Sequence, residues 1–268
     1  MKRILIAAIL FFLLTPGKAQ EYYIPRTNYK PVHSHSWKDS VHHISFFFSF
    51  DAGVSVPERD YGSHDTTHNF MIISPDTSHG KGFANIGFHG SLAGGVFLTP
   101  YMGFCVKIAY NQNTFDEADL NLLINGRYTY TINGDYSIWQ FMGGVFGDFP
   151  LGKKSSLWVH GMVGLINVSF PSFSIYNLPG LPYLSWDFTL QNANNLAYSL
   201  SLMYERSIST NVSVIGMAAY TGSQLSFPNL TYEFSGPYYN LPPAYTQHTP
   251  VTMSFGSLDF SVGLLFHF

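Results

Sequence analysis

A single cysteine, Cys105, stands among 268 residues. An internal disulfide is therefore excluded, and an oxidising compartment is tolerated rather than exploited. Charge is scarce too, at 11% of the chain against about 25% in an ordinary soluble domain. Too few groups remain to keep a conventional surface wet. Long apolar runs are also missing: beyond the N-terminal stretch nothing approaches the roughly 18 residues that a spanning helix needs. A net charge of −3 offers no basic surface, so no nucleic-acid partner is expected.

Apolar residues are nevertheless abundant: 46% of the chain is hydrophobic and 17% aromatic. They are dispersed, and the dispersal has a period of two. In the last dozen residues Leu258, Phe260, Val262, Leu264, Phe266 and Phe268 alternate with Ser257, Asp259, Ser261, Gly263 and His267, with Leu265 the exception. One face of such a strand is apolar and the other polar or tiny, which suits a closed barrel set in lipid. The N-terminus reads as a secretory signal over residues 1–19: Lys2 and Arg3, an apolar core from Ile4 to Leu14, then Gly17-Lys18-Ala19 with small residues at the cleavage positions. Residues 20–43 carry Pro25 and Pro31 and no periodicity. They read as an irregular periplasmic lead-in to a barrel over 44–268.

Along that barrel the alternation recurs. Ile44, Phe46, Phe48, Phe50, Ala52, Val54 and Val56 alternate with Ser45, Phe47, Ser49, Asp51, Gly53 and Ser55. Further strands are predicted from Phe83 to Leu98, Met102 to Tyr110, Tyr136 to Phe149, Leu157 to Phe170, Leu196 to Glu205, Val212 to Tyr220 and Ser257 to Phe268. The connections read long, short, long, short, long, short, long, with Thr99-Pro100, Pro150 to Ser155 and Ser207 to Asn211 as the short ones. That asymmetry of turns and loops is the pattern of an outer-membrane barrel. The prediction is an all-β, eight-stranded, antiparallel up-and-down transmembrane barrel. Asn125-Gly126 suits a type I′ hairpin turn, and its short arms, Leu120 to Ile124 and Arg127 to Ile132, are placed above the membrane. If they spanned, the count would be ten.

This layout resembles the small outer-membrane β-barrels of the OmpX and OmpA membrane-domain kind, in the version common among envelope proteins of Bacteroidetes-type bacteria. The resemblance covers Ile44 to Phe268 and rests on the signal sequence, the alternating strands, the short turns and the terminal aromatic residue. It implies outer-membrane lipids as surroundings, and recognition by the barrel-assembly machinery of the last strand ending in Phe268. It does not specify a function, because small barrels serve as adhesins, structural pieces, enzymes and secretion accessories.

Inside so narrow a barrel the side chains fill the lumen, and buried charges must be paired. The predicted inner polar set is Asp51, Asn85, His89, Lys107, Gln140, Asp148, Glu205 and Asp259, a structural network with Lys107 as its main cation and Asp259 as a candidate partner. His89-Gly90-Ser91 is the enzymatic hint. It is similar to the His-x-Ser of the outer-membrane lipid A deacylases, in which the pair would act as base and nucleophile. That family's site faces lipid, however, and alternation turns His89 and Ser91 inward. Histidines cluster at His33, His35, His42 and His43 and again at His64, His68 and His79, without cysteine or closely spaced carboxylates beside them, so no metal site and no cofactor are predicted. The last long loops are rich in aromatic residues stiffened by proline: Tyr176, Tyr183, Trp186, Phe227, Tyr232, Tyr238, Tyr239 and Tyr245. Such loops present contact area at low entropic cost to an extracellular protein or ligand; otherwise they pack as a lid or lie as a belt at head-group level. The expected role is non-enzymatic, structural or surface-interacting. The competing readings are a small pore or hydrophobic-ligand carrier and a lipid A-modifying hydrolase.

Overall fold

The computed structural model describes residues 45–64, 81–117, 129–178, 181–190, 192–235, 245–247 and 251–268. The signal sequence and the lead-in, with His33, His35, His42 and His43, lie outside these residues, as do His68 and His79. The strands are β1 (Phe46–Glu58), β2 (Gly87–Thr99), β3 (Met102–Asn113), β4 (Thr129–Asn133), β5 (Tyr136–Pro150), β6 (Ser155–Ser169), β7 (Ser172–Leu178), β8 (Leu181–Leu190), β9 (Ala193–Ser207), β10 (Val212–Phe227), β11 (Leu230–Ser235), β12 (Tyr245–Gln247) and β13 (Val251–His267). Eight of them close an antiparallel barrel in the order β1-β13-β10-β9-β6-β5-β3-β2. The other five form a second sheet, β12-β11-β8-β7-β4.

Closure is made by the stretch with the clearest alternation. β13 runs antiparallel to β1, with Phe48 opposite Phe266 and Val54 opposite Phe260. The seam ends in a reciprocal backbone pair, Phe268 N–H to Phe46 carbonyl at 2.9 Å and Phe46 N–H to Phe268 carbonyl at 3.3 Å. A glycine is required at Gly53 in this seam: a Cβ there would lie 1.9 Å from the Phe260 carbonyl oxygen, so neighbouring backbones approach where a side chain would hold them apart.

The outward face is the apolar one. Phe46, Phe48, Phe50, Phe104, Val106, Ile108, Val163, Leu200 and Val262 are all exposed, whereas Ser49, Asp51, Lys107, Gln140, Ser201 and Asp259 are buried. Toward the end bearing the long loops this order inverts. On β10 the outward Val214 and Tyr220 give way to the outward polar residues Gln224 and Ser226, while Leu225 and Phe227 point in, fully buried. β13 does the same with Thr252 and Ser254 outside and Val251, Met253 and Phe255 inside. On β6, Leu165 lies outside and Ile166 and Val168 inside, with Asn167 following on the outer face. A wall that is apolar outside and polar inside becomes one with the polarity of a soluble protein.

The inversion accounts for several departures from prediction. Where the sequence pattern predicts a last loop from Gly222 to Ser254, β10 continues to Phe227 and β13 begins at Val251, because both strands outlast their outward apolar face. Phe227, predicted on a loop surface, is therefore a wall residue facing inward with no exposure. The strand predicted from Phe83 starts only at Gly87. Phe83 takes a left-handed φ of 51°, a conformation disfavoured for a bulky residue, so the chain is reset before the ladder begins. Asn85 precedes β2 and is half-buried; its backbone carbonyl accepts from Asn113 Nδ2 at 2.9 Å. Of the hairpin predicted over 120–132, the first arm and the Asn-Gly turn lie outside the described residues, and residues 129–133 pair as β4 with β7. The barrel keeps eight strands.

Candidate functional site: a closed lumen and a loop-built sheet

The lumen is stratified. At the tight-turn end an aromatic layer fills it: Phe47, Phe97, Phe146 and Trp158, with Phe47 5.1 Å and Phe146 5.0 Å from Trp158, centroid to centroid, and Phe97 4.9 Å from Phe146. Edge and stacked contacts of this kind add to the burial energy of the rings. Beside them sits Glu205, 3% exposed and surrounded by donors. Its Oε2 accepts from the Trp158 indole N–H and from the Ser156 hydroxyl, both at 2.9 Å. Its Oε1 accepts from Ser213 at 2.6 Å and from His267 Nε2 at 2.9 Å. A carboxylate so supplied is a tie between β6, β9, β10 and β13.

Toward the long loops lies a second network built on β1, β2, β3 and β13. Asn111 directs its amide nitrogen to Ser55 Oγ and Asp259 Oδ1, each at 3.0 Å. Its oxygen therefore faces His89, and His89 Nδ1 donates to it at 2.7 Å. The imidazole stands between two carboxylates, with Asp51 Oδ1 3.4 Å from Nε2 and Asp259 Oδ2 3.7 Å from Nδ1. The Ser91 hydroxyl donates to Asp51 Oδ2 at 2.5 Å. Serine and histidine thus meet the same carboxylate on its two oxygens, whereas a nucleophile must hydrogen-bond its base, with the carboxylate behind the histidine.

Lys107, expected to neutralise Asp259, does not do so: Asp259 is bound by Asn111 and Ser257 and flanked by His89. The Lys107 ammonium, 3% exposed, has no hydrogen-bond partner among the described residues. It lines a cavity of about 20 Å³ shared with Ser49, Asp51, Ser91, His160 and Ser201, room for a single water. Gln140 accepts from Thr221 at 3.3 Å. Asp148 is half-buried on β5 near the tight-turn end, its backbone N–H bonded to the Tyr101 carbonyl at 2.8 Å. Of the predicted inner set, His89, Asp51 and Asp259 come together and Lys107 adjoins Asp51, while Glu205 belongs to a separate cluster and Asn85 to the rim. The roles of Asn111, Trp158 and His267 are not foreseeable from the sequence: each is an ordinary member of an alternating face, and only the barrel register makes it a hub.

Above the polar layers a second aromatic cap closes the lumen. Tyr61 packs 5.0 Å from Tyr136 and 4.9 Å from Phe255, and Phe170 joins Tyr136 to Phe227 at 5.0 and 6.0 Å. Tyr136 also donates its hydroxyl to the Gly82 carbonyl at 2.6 Å.

The loop-built sheet has a small core of its own. Phe173 stacks on Phe188 at 4.6 Å, with Ile175 and Leu190 buried beside them, and Tyr176 is turned outward, 37% exposed. The backbones of Tyr183 and Trp186 lie on β8, of Tyr232 on β11 and of Tyr245 on β12; their side chains, and Tyr238 and Tyr239 entirely, lie outside the described residues. His64 faces Asp116 at 3.6 Å.

These features define a class: a closed eight-stranded β-barrel, apolar outside along most of its wall and packed within. No protein-family profile matches the chain, and no curated protein is similar to it. Solved barrels do resemble it. Neisserial surface protein A is 12% identical, with 82% of this chain and 96% of that one covered and a TM-score of 0.46. A major outer membrane protein from Thermus thermophilus is 15% identical, with 85% and 100% covered and a TM-score of 0.47. Ail, the attachment invasion locus protein of Yersinia pestis, is 10% identical, with 84% and 98% covered and a TM-score of 0.38. The likeness is one of backbone course alone.

Proposed function

We propose that this chain is a sealed outer-membrane β-barrel of the OmpX and OmpA membrane-domain kind found in Bacteroidetes-type envelopes, exported by a cleaved signal sequence, with its long loops facing out of the cell. Its role is non-enzymatic: it holds a rigid frame in the envelope and presents the loop-built sheet to an extracellular protein or ligand. The observation that carries this reading is the inversion of polarity along the wall. A surface of Phe, Leu and Val on every strand is stable only against lipid, and the switch to Gln224, Ser226 and Asn167 is what water beyond the bilayer demands. The aromatic layers at both ends of the lumen support a frame rather than a channel, and the Ser91–Asp51–His89 order supports a structural network rather than a hydrolase. The terminal strand, ending in the exposed Phe268, is the element offered to the barrel-assembly machinery.

The test is electrical and topological. Planar bilayers containing the purified chain should show no steady conductance, and a tag at Asp76 or Gln247 should be accessible on intact cells while one at Lys153 is not. Steady current, or the reverse accessibility, defeats the proposal.

A further inference from the structure

We propose that Arg59, with Tyr198 and Tyr220, forms a binding site on the outer wall of the barrel for the phosphate of an outer-leaflet lipid headgroup. This rests on the reading that the long-loop end faces the outer leaflet.

Position is the first support. On β1 the outward residues run Phe48, Phe50, Ala52, Val54, Val56 and then Glu58, so apolar wall ends where Arg59 begins. Tyr220 is the last outward aromatic residue of β10 before Gln224, and on β9 Tyr198 is followed outward by one more apolar residue, Leu196, and then by Asn194. Arg59 thus stands where hydrocarbon gives way to headgroups.

The second support is that the arrangement is built. The Arg59 side chain crosses β13 to reach β10 and β9: its guanidinium lies 5.6 Å from the centroid of the Tyr220 ring and donates from Nη2 to the Tyr198 hydroxyl at 3.0 Å. Glycines clear its path. A Cβ on Gly256 would lie 3.1 Å from Arg59 Cγ, and one on Gly222 2.6 Å from the Tyr198 ring and hydroxyl. Arg59 itself is held at a left-handed φ of 59°, a strained conformation for a side-chain-bearing residue, and strain of this kind collects at ligand sites.

Charge decides the ligand. Arg59 is exposed, and no carboxylate is its partner among the described residues; Lys81, by contrast, is bound to Asp60 at 2.7 Å. A guanidinium carries five N–H donors, and Tyr198 takes one, so a face of donors remains for a planar or tetrahedral anion. With its plane fixed by two tyrosines, Arg59 meets that anion with little entropy left to lose.

The full chain, as wild type, Arg59→Ala, Arg59→Lys and Tyr198→Phe, is reconstituted into phosphatidylcholine vesicles doped with diphosphoryl lipid A or with its dephosphorylated counterpart. Lipid retained after mild detergent extraction is then quantified by mass spectrometry. Heat-modifiability on gels identifies the folded barrel in every sample. Wild type should retain the phosphorylated lipid about tenfold better, the ratio expected for one charge-assisted contact. Arg59→Ala should abolish the preference while staying folded, and Arg59→Lys and Tyr198→Phe should keep only part of it. Equal retention of both lipids by wild type, an unchanged preference in Arg59→Ala, or competition by free inorganic phosphate at comparable concentration overturns the proposal and leaves the membrane reading intact. Failure of the folded chain to enter vesicles of either kind overturns that reading itself.

Discussion

The same strand behaves as two different proteins along its length. In its lower part β10 shows Val214 and Tyr220 to the outside and Ser213 and Thr221 to the lumen; a few residues later Gln224 and Ser226 are outside and Leu225 and Phe227 within. The ladder to β13 continues unbroken through Phe227, whereas the pairing with β9 ends at Ser223, just before the change. What differs is the outer face and, on the proposed reading, the solvent it meets. In the lower band apolar residues cover the outside, and the lumen holds hydroxyls, carboxylates and imidazoles together with one aromatic layer; in the crown the outside is polar and the apolar residues lie inside. Both bands bury aromatic side chains inside the barrel, and it is the outer face that changes from apolar to polar.

The largest predicted effect comes from emptying the lower aromatic layer. Trp158→Ala removes a fully buried ring and the indole donor to Glu205, and should cost about 3–5 kcal/mol in urea unfolding from lipid vesicles. The comparable substitution in the crown, Phe255→Ala, should cost a similar amount, because both sites are cores. A tenfold smaller cost at either position would mean that one of the layers is loosely packed.

The comparison is sharpened next by placing one charge on the outer face of each band. Leu202→Arg, at an outward position 51% exposed and opposite Val159 and Ala218, should destabilise the barrel by about 2–4 kcal/mol, as arginine does near a bilayer midplane. Ser226→Arg, outward in the crown, should fall within about 0.5 kcal/mol of wild type. Equal costs would break the contrast. In the lower band, too, Glu205→Gln leaves donors from Ser156, Trp158, Ser213 and His267 around a neutral amide. Unfolding should become easier by about 1–3 kcal/mol, with the C-terminal end of β13 the first to show faster amide exchange, since His267 is tied to β9 through that carboxylate.

The smallest effect should come from the loop-built sheet: Tyr176→Ala, exposed and outside the barrel core, should shift stability by less than about 0.5 kcal/mol while weakening capture of any surface partner.

The lower band is legible in the sequence because period-two alternation is a local signal: Phe46, Phe48 and Phe50 face out, and Asp51, Lys107, Glu205 and Asp259 face in, as their positions in each run imply. The crown is not, because the alternation continues there with its sense reversed. Gly222 to Phe227 looks like the start of a loop to any reading that expects apolar residues outside. Partner choice inside the lumen is also hidden. Lys107 and Asp259 are complementary in charge, but the register sets His89 and Asn111 beside Asp259 and leaves the ammonium facing a small cavity. Asn85 falls at the rim rather than in the lumen because the left-handed Phe83 interrupts a run that looks continuous in composition.

The most direct test of the inversion is a depth measurement along one strand. With Cys105 replaced by serine, single spin labels at the outward positions Ala218 and Gln224 of β10 are compared in lipid vesicles for collision with oxygen and with an aqueous nickel chelate. A lipid-bathed Ala218 and a water-bathed Gln224 are the result predicted here; two labels bathed alike, whether by lipid or by water, would contradict it.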